Sequence, residues 1–167
     1  NFLNNLNITL TNQKVKAVLV SFPHNPTTLT VNQEFYDELV NLARRYNFLI
    51  INDFAYSDIY FNEEKPPSLL NSDPEFGHTV ELYSLTKGYS MAGWRVGFAV
   101  GNESAISSLT KLKSYIDYGT FQPIQIASTV AINELDNYPK EVSSIYQERR
   151  MLAEEYLTKY GFEVYKS

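Results

Sequence analysis

Short apolar runs alternate along this chain with longer stretches whose apolar residues recur at helical spacing. VKAVLV (Val15 to Val20) is rich in β-branched residues and stops at SFPHNPTT, a Pro- and Asn-rich segment that reads as a loop. Thr30 is placed to cap the next helix, with Gln33 three positions on in a capping-box arrangement. Phe35, Leu39, Leu42, Ala43 and Tyr46 then share one helical face. FLII (Phe48 to Ile51) is too short for a helix and apolar throughout, which suits a buried parallel strand. Strand, helix and strand in succession predict a right-handed βαβ unit.

Tyr60 to His78 is crowded with Pro, Asn, Asp and Glu and is expected to be an irregular surface excursion or a short broken helix. VELYSL (Val80 to Leu85) and RVGFAVG (Arg95 to Gly101) resume strand character. Asn102 can cap a helix that buries Ile106, Leu109, Leu112 or the stem of Lys113, and Ile116, and that Gly119 ends. A further helix begins with Pro123 in its first position and buries Ile126, Ala127, Val130 and Ala131. The last helix, from Lys140 to just before Gly161, carries Val142, Ile145, Tyr146, Leu152, Ala153, Tyr156, Leu157 and Tyr160. At ~1.5 Å per residue it is roughly 32 Å long, enough to overhang a small core and lead to another domain whose first strand is FEVY. The chain starts without Met and stops as that strand pattern begins, as a piece of a longer protein would.

Composition narrows the functions. The 167 residues carry a formal charge of −5, which disfavours a broad nucleic-acid face but leaves room for a small anion pocket. With no cysteine there is no thiolate nucleophile and no disulfide framework. His24 and His78 are the only histidines and lack helical-spacing partners, so no metal site is expected. No apolar run approaches the ~20 residues of a membrane span, and NFLNNLNITLTNQKV has neither the basic start nor the apolar core of a signal peptide. A cytoplasmic α/β protein is expected.

Ligands of open α/β sheets sit beyond the carboxyl ends of the strands. Three such places are polar here: His24-Asn25-Pro26, Asn52 to Tyr56, and Ser84 to Gly88 followed by Arg95. Lys87 is either an exposed turn lysine or a partly desolvated amine able to form a Schiff base and then carry a proton. Asp53 either caps a turn or holds a proton on a heteroaromatic nitrogen, keeping that ring an electron sink. Tyr56 and Asn25 can donate to a phenolate-type oxygen, or serve as turn or interface residues. Ser84 with Arg95 forms a prospective phosphate clamp, unless Arg95 is spent on a salt bridge. The Asn25–Pro26 bond can be cis or trans. Trp94 and Met91 are expected to pack between the Lys87 loop and the core. His24 faces solvent or substrate, and His78 has no assigned role. The glycines between 88 and 101 do not form GxGxxG, so a nicotinamide site has little support.

In that order SFPHNPT, NDFAYSD and YSLTKGYSMAGWRVGFAVGN resemble three signatures of the class I/II aminotransferases, pyridoxal-phosphate enzymes of fold type I. The third is the most specific, fixing Ser84, Lys87, Gly93, Trp94, Arg95 and Gly97 in one spacing. LTKLKSYIDYGTFQPIQIA further resembles the branch of LL-diaminopimelate aminotransferases and related aspartate- or alanine-type enzymes. The resemblance implies an α-β-α sandwich with a mostly parallel sheet. Residues 1–139 would be part of the cofactor-binding large domain, and 140–167 the linking helix and the start of the small domain.

It also implies pyridoxal 5′-phosphate as cofactor. Lys87 would attach it and shuttle the proton, Asp53 would pair with its ring nitrogen, Tyr56 and Asn25 would bind its ring oxygen, and Ser84 and Arg95 its phosphate. Amino acids and 2-oxo acids would be the substrates and a homodimer the working form, with neither nucleic acid nor membrane as partner. A fragment this short is expected to be nearly inactive by itself. The same machinery serves C–S lyases, and an aminotransferase-like fold also occurs as a non-catalytic regulatory module. Two positions depart from the family: Thr28 where Gly is common, and Thr86 where Ser is common.

Overall fold

In a computed structural model that describes residues 2–165, four strands form one sheet in the order β1-β2-β3-β4. These are β1 (Ala17–Ser21), β2 (Leu49–Asp53), β3 (Thr79–Ser84) and β4 (Gly97–Gly101). β1, β2 and β3 are parallel and β4 runs antiparallel to β3, so the sheet is mostly parallel. The helices are α1 (Phe2–Asn12), α2 (Gln33–Tyr46), α3 (Leu85–Gly88), α4 (Glu103–Ile116), α5 (Gln122–Glu134) and α6 (Tyr138–Lys159).

The core lies where α1 and α2 cover one face of the sheet. Tyr36, Leu39, Val40 and Ala43 of α2 are fully buried against Val20, Phe48 and Ile50. Asn32, rather than Thr30, caps α2: its Oδ1 accepts Phe35 N–H at 3.1 Å. Gln33 opens the helix and turns away to donate to Ser72 Oγ at 2.6 Å, so it closes no capping box. Asn47 ends α2 in the left-handed region with φ 54°. Helix α1, which the sequence pattern did not announce, buries Leu3 and Leu10, and Tyr46 donates from α2 to Asn7 at 3.0 Å.

The 60–78 excursion is pinned rather than loose. A 3₁₀ turn at Leu69–Ser72 plugs Leu69 into the core. Glu81, buried on β3, accepts from Ser68 Oγ at 2.7 Å, Leu69 N at 2.9 Å and Asn52 Nδ2 at 3.0 Å.

The later helices depart from expectation in what they bury. Asn102 caps α4 through Ala105 N–H, but α4 ends at Ile116, short of Gly119, and none of its residues is buried. Pro123 is the second rather than the first residue of α5. Ile126 and Val130 of α5 are exposed, Ala131 is buried as expected, and Ser128 is buried as well. On α6, Pro139, Val142 and Ser143 are buried, while Ile145, Leu152, Tyr156 and Leu157 are exposed. Residues 162–165 are irregular, so FEVY forms no strand; among the described residues no strand lies beside it to complete a ladder. Trp94 is 48 % exposed and does not wedge against the core.

Candidate active site

Each parallel strand delivers a polar loop at its carboxyl end. After β1, both Phe22–Pro23 and Asn25–Pro26 are cis, and the loop closes on itself through Thr28 N–H to His24 O at 2.7 Å and His24 N–H to Leu29 O at 2.9 Å. His24 Nδ1 lies 2.8 Å from Thr27 Oγ1. The Asn25 side chain is exposed and has no hydrogen-bond partner among the described residues.

β2 ends at Asp53, whose Oδ1 accepts Ala55 N–H at 3.2 Å. That is an Asx turn, so one carboxylate oxygen shapes the loop. Phe54, buried, has its N–H bonded to Leu82 O at 2.9 Å, which ties the loop to β3 and holds Tyr56 in place.

β3 ends at Ser84, which caps α3 by accepting Thr86 N–H at 3.2 Å. The cap uses an oxygen lone pair and leaves the Ser84 O–H free to donate. Leu85 is fully buried and anchors the turn, and Lys87 leaves it half-buried with its Nζ 4.9 Å from the Tyr56 ring centroid. No carboxylate among the described residues pairs with Lys87 or with Arg95.

Asp53 is in register with Leu82, and side chains two apart on a strand share a face, so Asp53 and Ser84 leave the same face of the sheet. Gly97 pairs with Ser84 across β4, which brings Arg95 beside that strand end. A Cβ at Gly97 would stand 2.5 Å from Tyr83 O, so only glycine lets β4 approach here. Arg95 sits in the left-handed region at φ 52° and donates from Nη1 to Ala92 O at 3.1 Å.

A cavity of about 1180 Å³ opens over these loops, with Asn25, Tyr56, Lys87 and His24 in its wall. Asp53, Ser84 and Arg95 do not line it. They stand at the neighbouring strand ends. The opposite wall contains residues the sequence pattern did not single out: Phe61, and Arg149 and Arg150 of α6. Arg150 lies 5.0 Å over the Phe61 ring and pairs with Glu154 at 2.9 Å, while Arg149 lies 5.7 Å over Tyr146. At helical spacing both arginines interrupt the apolar set of α6 between Tyr146 and Leu152, which is a local signal, but it does not say which distant loop they meet. Among the described residues no His, Asp and Glu cluster could hold a metal ion, and no helix is long and apolar enough to cross a membrane.

The family model described as aminotransferase class I and II matches residues 2–167. The chain is 40 % identical over 155 residues to the LL-diaminopimelate aminotransferase of Aquifex aeolicus, covering 93 % of this chain and 40 % of that protein. It is 41 % identical over 137 residues to the glutamate-pyruvate aminotransferase of Escherichia coli K12, covering 82 % of this chain and 33 % of that protein. An aminotransferase structure from Staphylococcus aureus superposes with a TM-score of 0.82 at 38 % identity, over 87 % of this chain and 39 % of the other. The chain thus spans two fifths or less of the length of these relatives.

Proposed function

This chain belongs to the class I and II aminotransferases, and from that premise we propose that the protein containing it moves an amino group from an amino acid to a 2-oxo acid with pyridoxal 5′-phosphate. The observation that carries the reading is the Lys87 amine. It faces a cavity beside Tyr56 and Asn25 with no carboxylate to neutralise it among the described residues.

The donor set fits the group. Lys87 would bond its aldehyde carbon and Asp53 would face its ring nitrogen, leaving one carboxylate oxygen on the Ala55 turn. Tyr56 and Asn25 would donate to the ring oxygen, and the free Ser84 O–H and the Arg95 guanidinium would hold the phosphate. When bound, the cofactor supplies an electron sink that makes the substrate's α-hydrogen acidic.

The chain's own residues do the rest. Once the substrate amine displaces it from the cofactor, Lys87 Nζ would be a free amine able to take the proton from the substrate α-carbon and give it up again, a general-base and then general-acid role. The Asp53 negative charge would favour a protonated nitrogen on a ring held there. The Tyr56 face under Nζ keeps the amine close when it is charged. Residues 140–167 lead toward a second, smaller domain, and the working form is a homodimer in the cytoplasm. The chain on its own binds the cofactor weakly and turns over little.

The test is borohydride reduction of the full-length protein loaded with pyridoxal phosphate, followed by peptide mapping. The label should fall on Lys87, and amino transfer from an amino acid to a 2-oxo acid should be measurable before reduction. A label on another lysine would refute the assignment.

A further inference from the structure

Asp58 stands two residues after Tyr56 and touches the Lys87 turn at both of its ends. Ahead of the turn, Tyr83 donates its hydroxyl to Asp58 Oδ2 at 2.5 Å. Behind it, Gly88 is packed so tightly on the same carboxylate that a methyl there would stand 2.6 Å from Oδ2 and 2.7 Å from Cβ. The Asp58 carbonyl also accepts the Ser143 hydroxyl of α6 at 2.6 Å. No lysine or arginine among the described residues pairs with Asp58, so its carboxylate serves these contacts rather than a salt bridge.

A helix as short as α3 has no stability of its own, and its orientation comes from what it packs on. Leu85 anchors its first residue in the core. Lys87 and Gly88 lie at the other end, where Asp58 is the abutment. Because the lysine stem is flexible, the place of Nζ over the Tyr56 ring depends on how α3 sits against the loop that carries Tyr56. Asp58 belongs to that loop. Burial first, and then the hydrogen bond to Asp58 and its charge, push the Tyr83 hydroxyl well above its ordinary pKa, so it remains a donor.

We propose that Asp58 is a positioning residue: it clamps the Lys87 turn to the Tyr56 loop from Tyr83 on one side and Gly88 on the other, and through Ser143 sets α6 against both. The proposal rests on the reading of Lys87 given above.

The experiment uses the full-length protein as wild type, Asp58→Ala, Asp58→Asn and Tyr83→Phe. The first measurement, without cofactor, is hydrogen exchange at the amides of Tyr89, Ser90 and Met91, which bond back to Leu85 and Lys87 carbonyls. The second, with pyridoxal phosphate, is kcat and KM separately. Asp58→Ala should speed exchange there and lower kcat, each about tenfold or more, with KM nearly unchanged. Asp58→Asn keeps an acceptor for Tyr83 and should recover most of both. If Asp58→Ala does not fold, Tyr83→Phe carries the test, with shifts in the same direction. Lower Tm with wild-type exchange at these amides and wild-type kcat would overturn the proposal. Failure of the wild type to take the cofactor on Lys87 would instead overturn the reading of the site, and the exchange measurement would still decide whether Asp58 holds the turn.

Discussion

The Lys87 Nζ lies 4.9 Å above the centroid of the Tyr56 ring, so the amine read as the proton carrier rests on the face of a residue read as a cofactor ligand. Lys87→Arg separates charge from chemistry. A guanidinium retains the cation over the ring but never becomes a neutral amine near neutral pH. Turnover of the full-length protein should fall by on the order of 10²–10⁴-fold or more, while Tm changes little. Retained turnover would show that position 87 supplies only charge.

Asp53 allows a similar separation. In Asp53→Asn the side-chain carbonyl can still accept Ala55 N–H, so the turn survives. Asp53 is exposed, and stability should stay within about 0.5 kcal/mol of wild type. A charge-assisted hydrogen bond is worth about 1.5–3 kcal/mol, so losing the charge should cut kcat by roughly 10- to 150-fold. Equal kcat for the two proteins would leave Asp53 as a turn residue only.

How much of this was legible in the sequence depends on the range of the interaction. The strand ends bearing Asn25, Asp53, Ser84 and Lys87 could be located because apolar runs and loop residues are local signals. So could the α2 stripe of Leu39 and Ala43. Asn32 rather than Thr30 takes the cap by accepting Phe35 N–H, and Gln33, expected in a capping box, is bonded to Ser72 across the fold. Ile126 and Val130 show the other limit: periodicity reports an apolar stripe but not whether anything covers it. Asp58 could not be recognised at all, since its meaning comes from Tyr83, Gly88 and Ser143, none of them near it in sequence.

The core should respond as a packed interior does. Leu39 is fully buried on α2 and Asn41, two residues on, is exposed. Leu39→Ala should cost about 2–5 kcal/mol, because transfer free energy and cavity formation add. Asn41→Ala should change stability by no more than about 0.5 kcal/mol. Urea titration of both variants measures the difference, and near-equal values would place the core elsewhere.

Asp73 makes stability fall in acid. Burial alone would raise its pKa, but the His78 N–H, the Arg44 guanidinium and the Thr79 hydroxyl all bond its oxygens and together hold it below the usual carboxylate value. A lowered folded pKa means that the stabilisation is complete above the unfolded value of about 3.9 and is lost as pH falls through the folded one. Asp73→Asn should therefore be less stable near neutrality, by about 1–3 kcal/mol, and should lose less on acidification below about pH 4. Parallel acid profiles for the two proteins would rule out this linkage.

Thr28 occupies a position where the family commonly has Gly, and its backbone lies in the left-handed region at φ 59°. That conformation costs an L-residue roughly 1–2 kcal/mol because Cβ crowds the following carbonyl. Branching at Cβ adds to the crowding. Glycine removes the clash but gives back about 0.5–1 kcal/mol of unfolded-chain entropy. Thr28→Gly should therefore stabilise the protein by roughly 0.5–1 kcal/mol. Thr28→Ala, which keeps Cβ, should gain less. The Thr28 hydroxyl donates to Thr27 O at 2.6 Å in an exposed turn, and both variants lose that bond equally. The Tm difference between the two thus reads backbone strain less the entropy cost of glycine, and an alanine variant more stable than the glycine variant by that full cost, about 0.5–1 kcal/mol, would show that the loop after β1 stores none.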